Sequence, residues 1–339
     1  MSRFPSLLLV VVGVAACYQS YPRIALDEDA GDACMEDPFE ADRVHPGVFI
    51  LLDRSRSMMY PGCVTPDWDY WTPATEGVNA IVGSLGHSVA FGLGLFPDPA
   101  YDDESPNCYT MGVVDNPVKL DNAGPIASTL AAAGCPDGGT PTAESLEASA
   151  AALGEYIELR TASVLLVTDG APNCNLDLDP FSCTCTNPGG DCTYNFQCLD
   201  DHNTYAVLDR LHENRGVQTY VLGLVGGTGG AWIEVMHQMA AHGGTGEAVL
   251  VSDPDDVGPV MEEITRQIVP CLFDVDPADV ADPDAVLFDV DGTIWLRDEA
   301  RLSGWDLVEP DRVRFYGPPC EEILDEGIDT IVGVVPCTD

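Results

Sequence analysis

Val48-Phe49-Ile50-Leu51-Leu52-Asp53-Arg54-Ser55-Arg56-Ser57 joins an uninterrupted apolar run to a short polar motif. A continuous apolar run of this length is typical of a strand that is buried on both faces, as in parallel sheets covered by helices. The motif, Asp-x-Ser-x-Ser, places one carboxylate and two hydroxyls at the carboxyl end of that strand. Open α/β sheets bind their ligands at this end.

Strand and helix signals alternate from residue 44 to about residue 270. This alternation predicts an α/β fold with a doubly wound, mostly parallel six-stranded sheet and a small C-terminal β module. The predicted strands cover residues 48–52, 88–96, 109–114, 162–167, 217–225 and 247–251. The predicted helices cover residues 74–87, 122–133, 141–153, 203–214, 232–241 and 256–268.

The flanking segments have a different composition. Residues 17–43 are polar and acidic and are interpreted as a surface tether. Residues 271–339 hold short apolar runs without a clear helix, and we interpret them as a β module closed by a disulfide between Cys320 and Cys337. The predicted organisation is therefore a signal peptide (1–16), an acidic tether (17–43), an α/β domain (44–270) and a β module (271–339).

Two further segments place oxygen-bearing side chains next to the first motif. Gly138-Gly139-Thr140-Pro141-Thr142 precedes a predicted helix, and Val167-Thr168-Asp169-Gly170 ends a predicted strand. Mg²⁺ takes about six oxygen ligands in near-octahedral geometry, several of them water. We therefore predict a divalent-cation site. Its side chains are those of Asp53, Ser55, Ser57, Thr140 and Asp169.

In this order, the three segments resemble the metal-ion-dependent adhesion site of von Willebrand factor A and integrin I domains, over residues 44–270. The resemblance implies Mg²⁺, with Mn²⁺ or Ca²⁺ as alternatives, bound by the hydroxyls directly and by the aspartates directly or through water. It also implies a protein ligand that offers a carboxylate to the cation. The function expected from it is metal-dependent protein binding or adhesion, and not catalysis.

Three alternatives stay open at this point. In the first, Ser55 and Ser57 only cap a following helix, which does not explain Thr140 and Asp169. The protein would have the same sequence features if it were a structural component of envelope assembly. It would also have them if this domain were a non-catalytic support for a secreted hydrolase.

Two insertions leave the predicted sheet at the end that carries the motifs. Residues 58–73 follow the Asp-x-Ser-x-Ser motif and are rich in aromatic residues, and residues 171–200 follow Asp169-Gly170 and are rich in cysteine. Both are expected to build walls of the ligand face. Trimming residues 171–200 is therefore expected to change ligand choice and to leave cation affinity largely intact.

The N-terminus has the pattern of an export signal. Arg3 precedes an apolar run over residues 6–14, which is too short to span a bilayer, since a spanning helix needs about 20 residues. Val14-Ala15-Ala16-Cys17 resembles the bacterial lipobox, which implies lipidation of Cys17 and a membrane anchor in the bacterial cell envelope. Tyr18, where an Asp would signal inner-membrane retention, favours the outer membrane or cell surface. An ordinary signal peptide is the alternative.

Cysteine and charge patterns narrow the function further. The chain has 13 cysteines, so lipidation of Cys17 leaves an even number, and export favours disulfides over a zinc site in the group from Cys174 to Cys198. A net charge of −42 makes nucleic acid a poor partner.

The Asp-x-Asp-Gly-Thr run at 289–293 is similar to the nucleophile motif of haloacid-dehalogenase phosphatases. Too little chain follows it for that fold, so a β-turn is predicted there.

Overall fold

The computed structural model describes residues 24–25, 35–98, 108, 114–187, 190, 192–226 and 229–336. The described strands are β1 (Ile24–Ala25), β2 (Met35–Val44), β3 (Gly47–Asp53), β4 (Met59–Tyr60), β5 (Trp68–Asp69), β6 (Ala90–Phe96), β7 (Asn116–Lys119), β8 (Ala162–Thr168), β9 (Gln218–Leu224), β10 (Val249–Val251), β11 (Cys271–Asp274), β12 (Leu287–Val290), β13 (Thr293–Trp295), β14 (Gly304–Glu309), β15 (Arg312–Tyr316) and β16 (Thr330–Pro336). The described α-helices are α1 (Trp71–Leu85), α2 (Ala123–Ala132), α3 (Thr142–Ala152), α4 (Gly154–Glu158), α5 (Asp201–Asp209), α6 (Ile233–His242), α7 (Val257–Ile268) and α8 (Pro318–Glu326).

One sheet has six strands in the order β10-β9-β8-β3-β6-β7. Its neighbours are parallel except for β7, which runs antiparallel to β6 at the edge. The edge strand begins at Asn116, after the strand predicted over residues 109–114, of which 109–113 lie outside the described residues. This sheet is therefore mixed, with its parallel strands in the middle.

The sequence of β3 explains why this sheet is covered on both sides. Side chains alternate between the two faces of a strand. Val48, Ile50 and Leu52 lie in one hydrophobic core, and Phe49 and Leu51 lie in another, all fully buried. Helices α1 and α7 pack on the first face, and α3, α5 and α6 pack on the second. The polar motif that follows β3 is thus fixed at the end of a strand that has no free face.

The second sheet is the larger one, with eight strands in the order β1-β13-β12-β16-β2-β11-β15-β14. All its pairs are antiparallel. The predicted fold class, a doubly wound, mostly parallel six-stranded α/β fold with a small β module, is therefore wrong. The chain combines a mixed sheet with a larger antiparallel sheet, and the apolar face of the latter continues the core around α1 and α7.

The physical reason for this error lies in β2. Met35–Val44 contains acidic residues at several positions, which gave it the composition of a tether. It nevertheless pairs with β16 on one side and β11 on the other, so it occupies an interior position in the antiparallel sheet. The C-terminal segment, residues 271–339, also contains a helix, α8, where the sequence gave no clear helix signal. No helix among the described residues has the length and apolar character needed to cross a membrane.

Five disulfides connect the described cysteines: Cys63–Cys135, Cys108–Cys174, Cys183–Cys198, Cys185–Cys192 and Cys271–Cys320. The predicted Cys320–Cys337 pair is wrong, because Cys320 at the start of α8 is bonded to Cys271 at the start of β11. Cys17, the predicted lipidation site, lies outside the described residues, as does Cys337. The bond to Cys271 ties α8 to the sheet directly below it.

An aromatic cluster should control the stability of the antiparallel sheet. Phe288 is fully buried and makes edge-to-face contacts with Phe39, Trp305 and Phe315, at centroid distances of 5.7, 4.9 and 5.6 Å. We expect Phe288→Ala to lower the free energy of unfolding by about 3–5 kcal/mol, because it leaves a cavity among these rings. Urea denaturation measures the loss.

The matched control is Val332→Ala in the same sheet, since the Val332 side chain is 37% exposed. Its loss should stay within about 1 kcal/mol. Equal losses for the two variants would show that the aromatic cluster does not hold the sheet together.

Candidate functional site

The site begins where β3 and β8 end side by side. The two strands are parallel and in register, with Leu52 opposite Val167, so Asp53 and Thr168 meet at the same edge of the sheet. The carboxylate of Asp53 is fully buried. Its Oδ1 accepts a hydrogen bond from the Ser55 amide at 2.7 Å, and its Oδ2 accepts one from the Thr168 hydroxyl at 2.5 Å. The Asp53 carboxylate is therefore held in one orientation.

A chain of oxygens leads from this motif to the second aspartate. The hydroxyls of Ser55 and Ser57 lie 3.1 Å apart, and the Ser57 hydroxyl donates to Asp169 Oδ1 at 2.8 Å. Asp169 is only 1% exposed, while Ser57 is partly exposed. Four of the five predicted site residues are thus brought together, with Ser57 on the solvent side.

Thr140, the fifth predicted residue, lies in a loop that is hydrogen-bonded both to the Asp-x-Ser-x-Ser motif and to the segment that follows Asp169. The amide of Arg56 donates to the Gly138 carbonyl at 3.2 Å, and the amide of Asn173 donates to the Thr140 carbonyl at 2.9 Å. Thr140 is buried. The loop therefore packs between the Asp-x-Ser-x-Ser motif and the segment that follows Asp169.

The helix-cap alternative does not account for Ser55. The motif leads into a short 3₁₀ helix, Arg56–Met58, and Ser55 occupies its N-cap position. No hydrogen bond from that helix reaches the Ser55 side chain, whose hydroxyl faces the Ser57 hydroxyl instead. The polar side chains of the motif are therefore oriented towards each other.

The two carboxylates form an electrostatically unfavourable pair. Burial raises the pKa of Asp53 to about 6, although hydrogen bonds from Thr168 and Ser55 lower it. Burial, together with the neighbouring charge of Asp53, raises the pKa of Asp169 to about 8. The nearest basic residue in sequence gives no compensation, because the Arg54 guanidinium donates to the carbonyls of Pro97 and Cys135.

The oxygen spacing suits a small dication. Around Mg²⁺, with bonds of about 2.1 Å at right angles, adjacent ligand oxygens lie about 3 Å apart. The separations of 3.1 Å between Ser55 Oγ and Ser57 Oγ and 2.8 Å between Ser57 Oγ and Asp169 Oδ1 match that value. Hydroxyl and carboxylate oxygens are also the donors that Mg²⁺ prefers. The residues present therefore fit such an ion.

Three residues around the site had no assigned role in the sequence-based prediction. Thr168 holds Asp53, as described above. Trp68 donates from Nε1 to the Ser57 carbonyl at 2.8 Å and stacks on Tyr60, in the β4–β5 hairpin formed by the first insertion. Asn173, in the second insertion, contacts Thr140. Only Thr168 had a sequence signal, since it precedes Asp169 at the end of an apolar run.

Two other predicted features can be assigned from their geometry. The Asp-x-Asp-Gly-Thr run forms the turn between β12 and β13, with positive φ at Asp291 and Gly292. This is the conformation of a tight hairpin turn. In the cysteine-rich insertion, Cys183, Cys192 and Cys198 lie close enough to hold a metal ion, but each is in a disulfide.

Comparison with known proteins gives only distant similarity. No family model matches the chain, and no curated protein matches it. The solved structures that resemble it include the pilus adhesin SpaC from Lactobacillus rhamnosus GG, with a TM-score of 0.48, 16% identity, and coverage of 86% of this chain and 39% of SpaC. The PilB minor pilin from Streptococcus sanguinis has a TM-score of 0.43 and 17% identity, over 66% of this chain and 62% of PilB.

A third similar structure is the pilus adhesin RrgA from Streptococcus pneumoniae, with a TM-score of 0.43 and 10% identity, over 89% of this chain and 57% of RrgA. The chain thus spans less than two thirds of the length of these structures. With TM-scores below 0.5, the similarities carry no conclusion about function.

These findings overturn the family resemblance inferred from the motifs. No family model, that of von Willebrand factor A domains included, matches the chain, and the similar structures are described as pilus adhesins and minor pilins. The assignment to that family, together with its metal-ion-dependent adhesion site, is therefore withdrawn. The structure shows a buried oxygen cluster around Asp53 and Asp169.

The buried carboxylates should make the metal-free protein less stable at higher pH. The pKa of Asp169 rises from 3.8 to about 8, so between these values the folded protein binds a proton that the unfolded chain has lost. Stability should therefore fall as pH rises through this window. The side chain at position 169 cannot ionise in Asp169→Asn. We therefore expect the free energy of unfolding to fall less with rising pH in this variant than in the unmodified protein, by more than about 1 kcal/mol.

Urea denaturation at pH 5 and pH 8.5, in the presence of a chelator, measures this difference. The control is Asp282→Asn, which removes an exposed carboxylate and should behave like the unmodified protein. The same fall in stability for Asp169→Asn and the unmodified protein would contradict the argument.

Proposed function

We propose that this chain binds one divalent cation, with Mg²⁺ the best suited, through Asp53, Ser55, Ser57, Thr140 and Asp169. The observation that carries the proposal is the arrangement of two buried carboxylates on a connected set of oxygens. Among the described residues, no Lys, Arg or His forms an ion pair with either carboxylate. Buried charges need a compensating charge or a metal ion.

The spacing of the oxygens supports a small ion over a large one. Mg²⁺ and Mn²⁺ fit octahedral sites, whereas Ca²⁺ takes six to eight oxygens at longer distances. The hydroxyls and carboxylates given above leave the remaining ligand positions to water or to a partner molecule. When bound, the cation would supply the positive charge that the two aspartates lack.

We further propose that the cation serves to bind a protein ligand at a bacterial cell surface. Asp53 and Asp169 are buried beneath Ser57, so a ligand approaches from the Ser57 side, between the two insertions. A carboxylate is the ligand group that an exposed dication attracts. The proposal contains no catalytic step.

The disulfides are in keeping with an exported protein, since they form and persist outside the reducing cytosol. Lipid anchoring through Cys17 remains part of the proposal. It places the oxygen cluster outside the membrane, where extracellular Mg²⁺ is accessible.

Isothermal titration calorimetry with Mg²⁺ and with Mn²⁺ tests the cation site. Changes to residues that only support a metal ligand cost about 10- to 100-fold in affinity, so the loss of Asp53 itself should cost more than about 100-fold. We expect this loss in Asp53→Ala and in the isosteric Asp53→Asn, each with an unchanged far-ultraviolet circular dichroism spectrum. Asp282→Asn serves as the exposed-carboxylate control. Unchanged affinity in both Asp53 variants would overturn the cation assignment.

Water proton relaxation of the Mn²⁺-loaded protein tests the recognition role separately. A coordination position open to a partner holds exchangeable water, which enhances relaxation. Adding N-acetyl-aspartate amide should displace that water and lower the enhancement, whereas the uncharged N-acetyl-asparagine amide should not. If neither compound changes the relaxation, the ion does not bind the carboxylate of a partner.

A further inference from the structure

Asn173 forms hydrogen bonds with both the backbone amide and the backbone carbonyl of Thr140. The Thr140 amide donates to Asn173 Oδ1 at 2.7 Å, and the Asn173 amide donates to the Thr140 carbonyl at 2.9 Å. Both partners lie in loops, so neither hydrogen bond belongs to a helix or a sheet. The position of Thr140 therefore depends on a residue 33 positions away in the sequence.

The side chain of Asn173 is itself fixed at its other end. Its Nδ2 donates to the Thr186 hydroxyl at 3.1 Å, and that hydroxyl donates to the Gln197 carbonyl at 2.9 Å. Because one end of the amide accepts a hydrogen bond and the other donates one, its orientation is determined. The cysteine-rich insertion thus holds the Asn173 side chain against Thr140.

The next residue, Cys174, is bonded both within the insertion and to Cys108 outside it. The Cys174 amide donates to the Phe196 carbonyl at 3.0 Å, and its sulfur is bonded to Cys108. The contact with the Thr140 loop is close: a Cβ on Gly139 would lie 2.6 Å from Cys174 Sγ and 2.8 Å from Asn173 Oδ1. There is room here for glycine only, so the two segments cannot shift independently.

We propose that Asn173 is a positioning residue for the cation site, which holds the Thr140 hydroxyl in place through the Thr140 backbone. This inference rests on the proposed function. It changes the expectation for the second insertion, which was predicted to affect ligand choice and not cation affinity. The insertion lies behind one of the proposed ligands as well as beside the ligand face.

Asn173→Ala in the full chain tests the inference, with Mg²⁺ affinity measured by titration calorimetry. We expect affinity to fall by about 10-fold or more, because residues that orient metal ligands have effects of that size. Thr186→Val, which leaves Asn173 in place but removes its support, should lower affinity by a smaller factor. The unfolding temperature in chelator should stay close to that of the unmodified protein for both variants.

The matched control is Asn195→Ala. Asn195 lies in the same insertion, but its side chain donates to Leu176, within the insertion. It should not change Mg²⁺ affinity. If Asn173→Ala binds Mg²⁺ as well as Asn195→Ala does, Asn173 does not position the site.

Hydrogen–deuterium exchange of peptides that span Thr140 gives a readout that needs no metal. In Asn173→Ala the Thr140 amide has lost its acceptor, so its exchange should accelerate in chelator, and in Asn195→Ala it should not. If exchange accelerates in Asn173→Ala but the unmodified protein binds neither Mg²⁺ nor Mn²⁺, the contact between Asn173 and Thr140 is confirmed and the proposed function is overturned. Unchanged exchange in Asn173→Ala would overturn the inference itself.

Discussion

Asp53 ends β3 and Asp169 directly follows the adjacent parallel strand β8, so the fold places both carboxylates close together with almost no access to water. Like charges in such surroundings repel each other and lose hydration, so the arrangement is unfavourable without a compensating positive charge. The hydrogen bonds from Ser55, Ser57 and Thr168 reduce this cost and also orient the oxygens. The rest of the structure around the site can be understood as support for this pair.

That support comes from three loops with little regular structure of their own. The β4–β5 hairpin holds the Ser57 backbone through Trp68, and the cysteine-rich insertion holds the Thr140 backbone through Asn173. The Cys63–Cys135 disulfide connects the hairpin insertion to the Thr140 loop, and the Cys108–Cys174 disulfide connects the cysteine-rich insertion to Cys108, between β6 and β7. The hydroxyls proposed as cation ligands lie on loops and need such constraints, because a cation binds more tightly when its ligands are already in place.

The sequence predicted the proximity of the candidate site residues better than it predicted the fold. Asp53, Ser55, Ser57 and Asp169 converge because they lie within a few residues of the ends of two apolar runs, and the carboxyl ends of parallel strands meet at one edge of a sheet. The antiparallel sheet was missed because β2 carries acidic residues and lacks an apolar signal of the kind that marks β3. The family resemblance was wrong, since short motifs at strand ends do not specify a family.

The contacts between loops could not be predicted from the sequence, for a different reason. Twelve cysteines besides Cys17 allow a very large number of pairings, and nothing local favours Cys271 over Cys337 as the partner of Cys320. Asn173 likewise shows no periodic pattern that would connect it with Thr140. Such contacts depend on the tertiary packing of the insertions, which a short motif cannot specify.

The most direct test of the central claim is anomalous X-ray scattering from crystals of the protein soaked in Mn²⁺. We expect one strong anomalous peak within bonding distance of the hydroxyls of Ser55 and Ser57, beside Asp169, and we expect this peak to be lost in crystals of Asp53→Ala. Absence of a peak there, or a strong peak only at another group of acidic side chains, would contradict it.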